Sequence, residues 1–327
     1  MLHAHQRAVV DRLVERCVGR TSYDREVAAS LYELLIPKAL KTVLNPDDDI
    51  ELCVDEGSAR FPWEMLLAGA DAQESGSTGG CVVRHLLNED TAVGPEPVLD
   101  LARALVIGDP ITDFVALPGA REEARQVADV LQTSGIRVTS QINGSGEDAI
   151  VALFSDLYQL LHLAGNGVVN ALLPETPDER MTGFILGKNM VLTSVEIAQM
   201  RKVPLVAFIN ACHLGRVTDH GDTSDSRALN RFAASLVSQF IRQGARIVIA
   251  PGWAVDDRAA VTFATVFYES FLRGERFGEA VRAARQRSFE ENPKANTWAA
   301  YHCYGDPGCR ANVNRRDEEG TENPTSR

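Results

Sequence analysis

Apolar positions along the chain follow two different spacings, one typical of helices and one typical of strands. Between Ser22 and Leu44 they recur at helical spacing, which predicts one amphipathic helix with a break at Pro37. The same spacing predicts helices over 117–135, 147–157, 194–200, 229–244, 256–273 and 274–292. Short apolar runs predict strands at 50–55, 81–86, 103–108, 136–142, 158–167, 203–212 and 245–251, and 183–192 reads as a hairpin. Alternating strands and helices indicate an α/β fold whose largely parallel sheet is covered on both faces.

No sharp change in composition divides the chain. We assign residues 1–99 to an N-terminal part made of helices and strands, and residues 100–309 to the core. Residues 310–327 are predicted to form a disordered tail, because NRRDEEGTENPTSR at its end is almost free of apolar side chains.

Charge and composition narrow the class of protein. The 327 residues carry 33 Lys and Arg against 45 Asp and Glu, a formal net charge of −12, which argues against nucleic acid as a partner. The charged first residues and the lack of any apolar run of about 18 residues predict neither a signal peptide nor a membrane span, so we expect a cytoplasmic protein. Six cysteines occur without a C-x-x-C pair, so neither a disulfide framework nor a zinc ribbon is expected.

Two predicted strands end in residues that are suited to chemistry. YQLLHLAGNG ends at Asn166 and Gly167, and VPLVAFINAC ends at Cys212. Sites of open parallel sheets lie at the carboxyl ends of strands. A cysteine at one such end, with a base supplied by a neighbouring strand, is a typical arrangement of a thiol nucleophile. The two positions lie 212 − 166 = 46 residues apart, near the roughly 50 that separate base and nucleophile in caspases.

The chain resembles the CHAT family of bacterial peptidases, relatives of caspases and separases, over about residues 23–308. The resemblance rests on eight segments in the family's order: FPWEMLL, LPGAREEARQVADVL, LLHLAGNG, GFILGKNMVLTSVEIAQM, FINACHLG, QFIRQGARIVIAPGWAVDD, FYESFLRGERFGEAVRAAR and WAAYHCYGDPG. It implies a caspase-like three-layer α/β/α sandwich and a cysteine endopeptidase without metal or organic cofactor. It also implies that Cys212 is the nucleophile and that the backbone amides of Gly167 and Cys212 hold the oxyanion.

The sequence departs from the family at the base. The family pattern reads H-x-x-x-H-G, and its catalytic second histidine is replaced here by Asn166. An amide cannot take a proton from a thiol, so we expect the chain as written to be inactive or severely impaired. The replacement is either an engineered inactivation or the mark of a natural pseudopeptidase that binds a peptide or partner without cutting.

Other histidines do not replace the missing base. His162 shares a strand face with position 166, but four residues of strand place the two Cα atoms roughly 13 Å apart, so we expect a structural histidine behind the site. His213 follows Cys212 directly and is expected to point away from it. Zinc on Cys212, His213 and His220 is disfavoured, because adjacent side chains diverge and a fourth ligand is missing.

Substrate contacts are expected around the same edge of the sheet. The resemblance makes Trp253 of PGWAVDD a candidate for the cleft wall, and Asp256 or Asp257 a candidate acceptor for a basic substrate side chain. We also expect His162 to border the substrate. The alternative is that DDRAA begins a helix, with an aspartate as its N-cap and an acidic first turn. We favour this capping role for at least one of the two aspartates. The polar segment 216–227 is either a mobile flap or an ordinary surface loop.

The resemblance also suggests partners. Its relatives cut protein substrates, several of them in antiphage defence, where the target can be a gasdermin-like pore former and a sensor domain or chain supplies the trigger. A third class, a nucleotide binder using the glycines of AGNG or VIGDP, is disfavoured, because neither segment fits G-x-G-x-x-G or a P-loop.

Overall fold

The computed structural model describes residues 4–55, 57–68, 76–87, 97–173, 176–214 and 235–313. Its helices are α1 (Ala4–Val18), α2 (Arg25–Leu35), α3 (Lys38–Lys41), α4 (Trp63–Leu67), α5 (Pro118–Thr133), α6 (Gly146–Ser155), α7 (Ser194–Gln199), α8 (235–242), α9 (Asp257–Leu272) and α10 (Phe277–Glu291). Its strands are β1 (Ile50–Val54), β2 (Val82–Leu86), β3 (Val98–Asp100), β4 (Arg103–Gly108), β5 (Arg137–Ile142), β6 (Leu160–Leu173), β7 (Thr176–Gly187), β8 (Met190–Thr193), β9 (Val206–Leu214), β10 (Ile247–Pro251), β11 (Tyr301–Gly305) and β12 (Arg310–Asn312). Among the described residues, no helix is long and apolar enough to cross a membrane.

Within the described ranges, ten strands form one sheet. Eight of them follow the order β1-β2-β11-β10-β9-β6-β4-β5; of the other two, β7 pairs with β6, and β8 pairs with β7. Strand β11 runs antiparallel to β10, and β7 runs antiparallel to both β6 and β8, while the other neighbours are parallel. The predicted mostly parallel sheet is confirmed. Strands β6 and β9 lie at its centre, and their residues from Leu160 to Ala164 and from Val206 to Ala211 are buried, as expected of strands that are covered on both faces.

Each face of the sheet is covered by its own helices. On one face, Val106 and Phe208 belong to an apolar cluster that includes residues of α1, α2, α5, α9 and α10. On the other face, Ile107 and Ile209 pack with residues of α6, α7 and α8. Alternate residues of the same strands enter opposite clusters, as the pleat requires. The structure is therefore the three-layer α/β/α sandwich that was predicted.

The break predicted at Pro37 is confirmed: the helical segment 22–44 is divided into α2 and α3, because Pro37 lacks an N–H and Ile36 before it is extended. Local structure differs from the expectation elsewhere. Helix α1 was not predicted. Strand β6 continues to Leu173 rather than ending at Gly167, because β7 pairs with it. The tail was predicted to begin too early: Arg310–Asn312 pair with β3, and residues 314–327 lie outside the described part.

The N-terminal part joins the same sheet as the core. Strand β1 pairs with β2, and β2 meets β11 through Arg84 and Tyr304. The boundary at residue 99 stays a prediction.

Candidate active site

The strands that carry Asn166 and Cys212 lie side by side. Strands β6 and β9 keep a regular parallel register up to Ala164 opposite Asn210. The next pair in register is Asn166 opposite His213. Between the two pairs, Gly165 of β6 faces two residues of β9, Ala211 and Cys212. Such a β-bulge interrupts the ladder and is common beside active sites. The structure describes the backbone of Cys212 and not its side chain.

The side chain of Asn166 is buried and has a hydrogen-bond partner. Asn166 is 6% exposed, and its Nδ2 donates to the backbone carbonyl of Val115 over 3.4 Å. Val115 belongs to the loop between β4 and α5, and its own side chain is exposed. A main-chain acceptor therefore fixes the orientation of the residue at position 166.

The loop that supplies this carbonyl is anchored by Asp109. The backbone N–H of Asp109 donates to the carbonyl of Ala164, two residues before Asn166, over 2.8 Å. Its carboxylate accepts from the backbone N–H of Leu117 over 2.9 Å and from Nη2 of Arg121 over 2.7 Å. Asp109 has a φ of 45°, a left-handed conformation that short polar residues tolerate. The loop is thus held at both of its ends.

The two glycines that flank Asn166 are enclosed. A β-carbon at Gly165 would lie 2.9 Å from Cζ of Phe184, so a larger residue does not fit without a shift. Gly167 is buried and pairs with Phe184 of β7 on one side and with Leu214 of β9 on the other. The amide that the sequence assigns to the oxyanion therefore belongs to a strand with neighbours on both sides, not to a free strand end.

His162 is fully buried behind the site. Its Nδ1 lies 3.3 Å from the hydroxyl of Tyr268. Its Nε2 lies 3.2 Å from Oε1 of Glu123, within ion-pair distance but off the direction of a hydrogen bond. This contradicts a contact between His162 and substrate, because the ring is enclosed by the core. It agrees with the structural histidine that strand spacing predicts.

Glu123 on α5 was not anticipated. Its Oε2 accepts from Nδ2 of Asn210 over 2.6 Å, and both residues are buried. Burial raises the pKa of Tyr268 well above its ordinary value, and the negative charge of Glu123 adds to the rise. The available signal was the position of Glu123 in the apolar stripe that also contains Val127 and Leu131, where a carboxylate needs a buried partner.

Trp253 does not line an open cleft in this structure. It is 1% exposed, belongs to the core cluster and meets the ring of His302 edge-on, with 5.8 Å between the centroids. The indole of Trp253 therefore packs in the core and does not make the expected substrate contact, because the segment after β10 turns it inward. Nε1 of Trp253 has no hydrogen-bond partner among the described residues.

The two aspartates after Trp253 have different surroundings. Asp256 is the N-cap of α9, and its Oδ1 accepts from the N–H groups of Arg258 and Ala259 over 3.1 and 3.3 Å. The cap expected for at least one of the pair is therefore Asp256. The carboxyl group of Asp257 lies against Gly119 in the first turn of α5, where a β-carbon on Gly119 would clash with it. Both aspartates remain exposed.

A buried cluster of charged side chains lies beside strands β2 and β11. Glu64 of α4 accepts from Nε of Arg84 over 2.8 Å, and Arg285 lies 3.6 Å from the same oxygen. Burial alone would raise the pKa of Glu64, but the charge and hydrogen bonds of Arg84 outweigh it and lower that pKa to about 2. The carboxylate therefore compensates the buried charges of Arg84 and Arg285.

Part of the predicted site lies outside the described residues. Segment 216–227, with His220, is not described, nor is the beginning of the helix predicted over 229–244. Within the described ranges, no group of three or more His, Cys, Asp or Glu side chains is placed to hold a metal ion.

Comparison with known proteins gives a family and several distant structures. The family model of the CHAT domain matches residues 25–306. A Saccharomyces cerevisiae separase in complex with securin is 13% identical over 81% of this chain and 16% of that chain, with a TM-score of 0.47. The arginine-specific cysteine proteinase gingipain R is 13% identical over 70% of this chain and 55% of that chain, with a TM-score of 0.45.

A further similar structure contains the pro- and mature domains of RgpB from Porphyromonas gingivalis. It is 11% identical over 95% of this chain and 78% of that chain, with a TM-score of 0.48. This chain thus spans about a sixth of the length of the separases that it resembles. The search of curated proteins gave no significant match.

Proposed function

The chain belongs to the CHAT domain family of caspase-like peptidases, and we propose that it is built as a cysteine endopeptidase that acts on protein substrates. In this proposal Cys212 is the nucleophile, and Asn166 occupies the position of the general base. The chain as written is then inactive or strongly impaired.

One observation supports the assignment most directly. The backbone of Cys212 lies in the β-bulge of β9, one residue before the partner of Asn166 on β6. The two positions are therefore neighbours on adjacent parallel strands, although 46 residues separate them in the sequence. A nucleophile and its base must lie within hydrogen-bond reach of each other, and this register brings their backbones together.

The chemistry explains why Asn166 is disabling. In a cysteine peptidase the thiolate attacks the peptide carbonyl carbon, backbone N–H groups hold the resulting oxyanion, and the base returns its proton to the leaving amine. The amide of Asn166 neither accepts the thiol proton nor delivers one. Loss of general acid–base catalysis costs about 100- to 10,000-fold, and the thiolate that an imidazolium stabilises is lost as well.

The carbonyl of Val115 supports a histidine at this position. It already accepts a hydrogen bond from Nδ2 of Asn166. The Nδ1–H of an imidazole at position 166 has the same reach from the backbone, and a bond to Val115 leaves Nε2 free to act as base. The loop thus orients whichever residue stands at 166.

The test compares three chains on a diverse peptide library read by mass spectrometry: the chain as written, Asn166→His, and Asn166→His with Cys212→Ala. We expect cleavage by Asn166→His alone, at least about 100-fold above the chain as written. The cut sites then report whether Asp256 or Asp257 selects a basic residue. Cleavage by the chain as written would refute the role given to Asn166, and cleavage by the Cys212→Ala double variant would refute the nucleophile.

A natural pseudopeptidase is the second candidate. It is favoured by the fit of Asn166, whose amide is buried and hydrogen-bonded as it stands. Such a module would retain library peptides or a partner protein without cutting them. Peptides recovered from the immobilised chain as written, together with no cleavage by Asn166→His, would support this function over the peptidase.

The biological setting is proposed from the family alone. Relatives in bacterial antiphage defence suggest a cytoplasmic enzyme whose substrate is a defence effector, such as a gasdermin-like protein, and whose trigger comes from a sensor domain or chain. Incubating the Asn166→His chain with gasdermin-like candidates, with and without a candidate sensor, tests this setting by the appearance of cleavage products.

A further inference from the structure

Helix α5 and the loop before it are attached to three neighbouring strands, β4, β6 and β9. The loop binds Asp109 after β4 through the N–H of Leu117. It binds Asn166 on β6 through the carbonyl of Val115. The helix then binds Asn210 on β9 through Glu123. One continuous segment therefore contacts both strands that carry the candidate site.

Glu123 is the member of this set that most needs an explanation. It is 1% exposed and lies among apolar residues of the core, where an unpaired carboxylate is strongly unfavourable. Its neighbours on α5 in the same stripe are Ala124, Val127 and Leu131. A leucine would satisfy packing at this position, so the carboxylate is explained by the groups that it contacts.

Those contacts bridge two strands. Oε2 accepts from Nδ2 of Asn210 on β9 over 2.6 Å, and Oε1 lies 3.2 Å from Nε2 of His162 on β6. A proton on Nε2 of His162 faces the carboxylate and leaves Nδ1 to accept from the hydroxyl of Tyr268, 3.3 Å away. With this tautomer, the carboxylate accepts a hydrogen bond from Asn210 on β9 and lies within ion-pair distance of His162 on β6.

The contact lies where the main-chain pairing is interrupted. The regular register of β6 and β9 extends to Ala164 opposite Asn210, and the bulge that contains Cys212 follows. A bulge leaves a residue unpaired and lets the strand bend. A buried side-chain anchor at Asn210, two residues before Cys212, restrains the strand at the point where the ladder is interrupted, before pairing resumes at Asn166 and His213.

We propose that Glu123 is a positioning residue for the peptidase reaction: by binding Asn210 it holds the end of β9, and Cys212 with it, in register with position 166. The inference rests on the proposed function, since it concerns the same pair of positions. Glu123 acts through Asn210 and does not touch the reacting atoms.

The experiment follows the thiol of Cys212 rather than peptide cleavage. Iodoacetamide alkylates the thiolate with loss of iodide, and peptide mass spectrometry measures the rate at Cys212 as a function of pH. The exposed Cys53 in the same molecule is the internal reference. In the Asn166→His chain, the dyad is expected to lower the midpoint of the Cys212 profile by at least about one pH unit, as a neighbouring imidazolium does.

Three further substitutions in the Asn166→His chain separate positioning from packing. Glu123→Leu keeps the volume and removes the acceptor, so the midpoint is expected to return to within about half a pH unit of the chain with Asn166. Glu123→Gln keeps an acceptor oxygen for Asn210 and is expected to retain the lowered midpoint. Tyr268→Phe removes a hydroxyl from the far end of the same buried cluster and is expected to leave the midpoint unchanged. Circular dichroism verifies that each variant is folded.

Each result decides between the claims. A folded Glu123→Leu variant that keeps the lowered midpoint overturns the role of Glu123 and leaves the peptidase proposal standing. If Tyr268→Phe abolishes the lowered midpoint to the same extent, the role of Glu123 is also overturned, because any change in the buried cluster would then remove the shift. No shift on Asn166→His overturns the dyad, and the role of Glu123 with it. If Glu123→Leu does not fold, Asn210→Ala removes the same contact from the strand side and must abolish the shift.

Discussion

The imidazole ring of His302 lies directly against the Cα of Gly252. A β-carbon built on Gly252 would fall onto Cε1 and Nε2 of that ring. Gly252 follows β10 and precedes Trp253, whose indole meets the same ring edge-on. The ring of His302 therefore occupies the space of a side chain at 252 and fixes the start of the segment that leads to Asp256 and Asp257.

Replacement of Gly252 by alanine should destabilise the fold. The new methyl group has to displace a fully buried ring, and overpacking of this kind costs about 1–3 kcal/mol. Urea denaturation followed by circular dichroism measures the loss. Gly57→Ala is the matched control, because the nearest atom to its β-carbon is Oδ1 of Asp55 at 3.5 Å, an ordinary contact. Equal stabilities of the two variants would contradict the packing of His302 on Gly252.

Stability should depend on pH through His302. Burial lowers the pKa of His302 to about 3, and the charge of Arg84 adds to the lowering. Between about 3 and the ordinary value of 6.5, the unfolded chain binds a proton that the folded chain does not. The free energy of unfolding should therefore fall as the pH drops through this window, by on the order of 1 kcal/mol per pH unit.

His302→Phe removes this titration and keeps an aromatic ring beside Trp253. Its free energy of unfolding, measured from pH 7 to pH 4, should fall less steeply than that of the chain as written. Arg84, Glu64 and Arg285 face the same cluster in both chains, so their contributions largely cancel in the comparison. Parallel curves would contradict this prediction, because His302 would then bind its proton equally in the folded and the unfolded chain.

Glu64→Gln should be strongly destabilising, because it leaves the guanidinium groups of Arg84 and Arg285 buried without a compensating charge. Removal of one partner of a buried ion pair costs about 3–5 kcal/mol. Glu51→Gln is the control, since Glu51 pairs with His85 at the exposed edge of the sheet, and such pairs contribute less than about 1 kcal/mol. Chemical denaturation at pH 7 measures both, and a loss below about 1 kcal/mol for Glu64→Gln would refute the account.

Four cysteines should be inert in the folded chain. Burial raises the pKa of Cys81 to about 11 and those of Cys17, Cys303 and Cys309 to about 12. At pH 8 these thiols carry almost no thiolate, so a disulfide reagent such as DTNB should modify them only after unfolding. Cys53 is exposed and should react at once. Rapid reaction of any of the four before urea is added would contradict their burial.

The sequence predicts the architecture because hydrophobic periodicity is a local property. Helices α5, α9 and α10 and strands β4 and β10 lie within the segments whose spacing indicates them, whereas β6 and β9 begin in their predicted segments and continue past the predicted ends. The short apolar runs LVAFI and RIVIA are central strands, as continuous burial requires. The pairing of β6 with β7 was not predictable in the same way, since it depends on how the chain continues beyond Gly167.

The residue types at the candidate site were also readable from the sequence. Cys212 and Asn166 stand at positions that a family pattern identifies, and the structure places their backbones on adjacent strands. Neither the bulge at Cys212 nor the hydrogen bond between Asn166 and Val115 could be expected from residue spacing. Both depend on main-chain geometry, which one-dimensional spacing does not contain.

By itself, the sequence determined the α/β class, the family and the order of most helices and strands, and it predicts that Asn166 stands where the family has its base. Only the tertiary structure decided that Glu123 meets Asn210, that His302 covers Gly252 and that Trp253 turns into the core. The reason is that periodicity tells which face of an element is buried, whereas the partner of a buried polar group depends on which distant segment packs against that face. Glu123 and Asn210 are 87 residues apart, and only the packing of α5 across β6 and β9 brings a carboxylate to its donor.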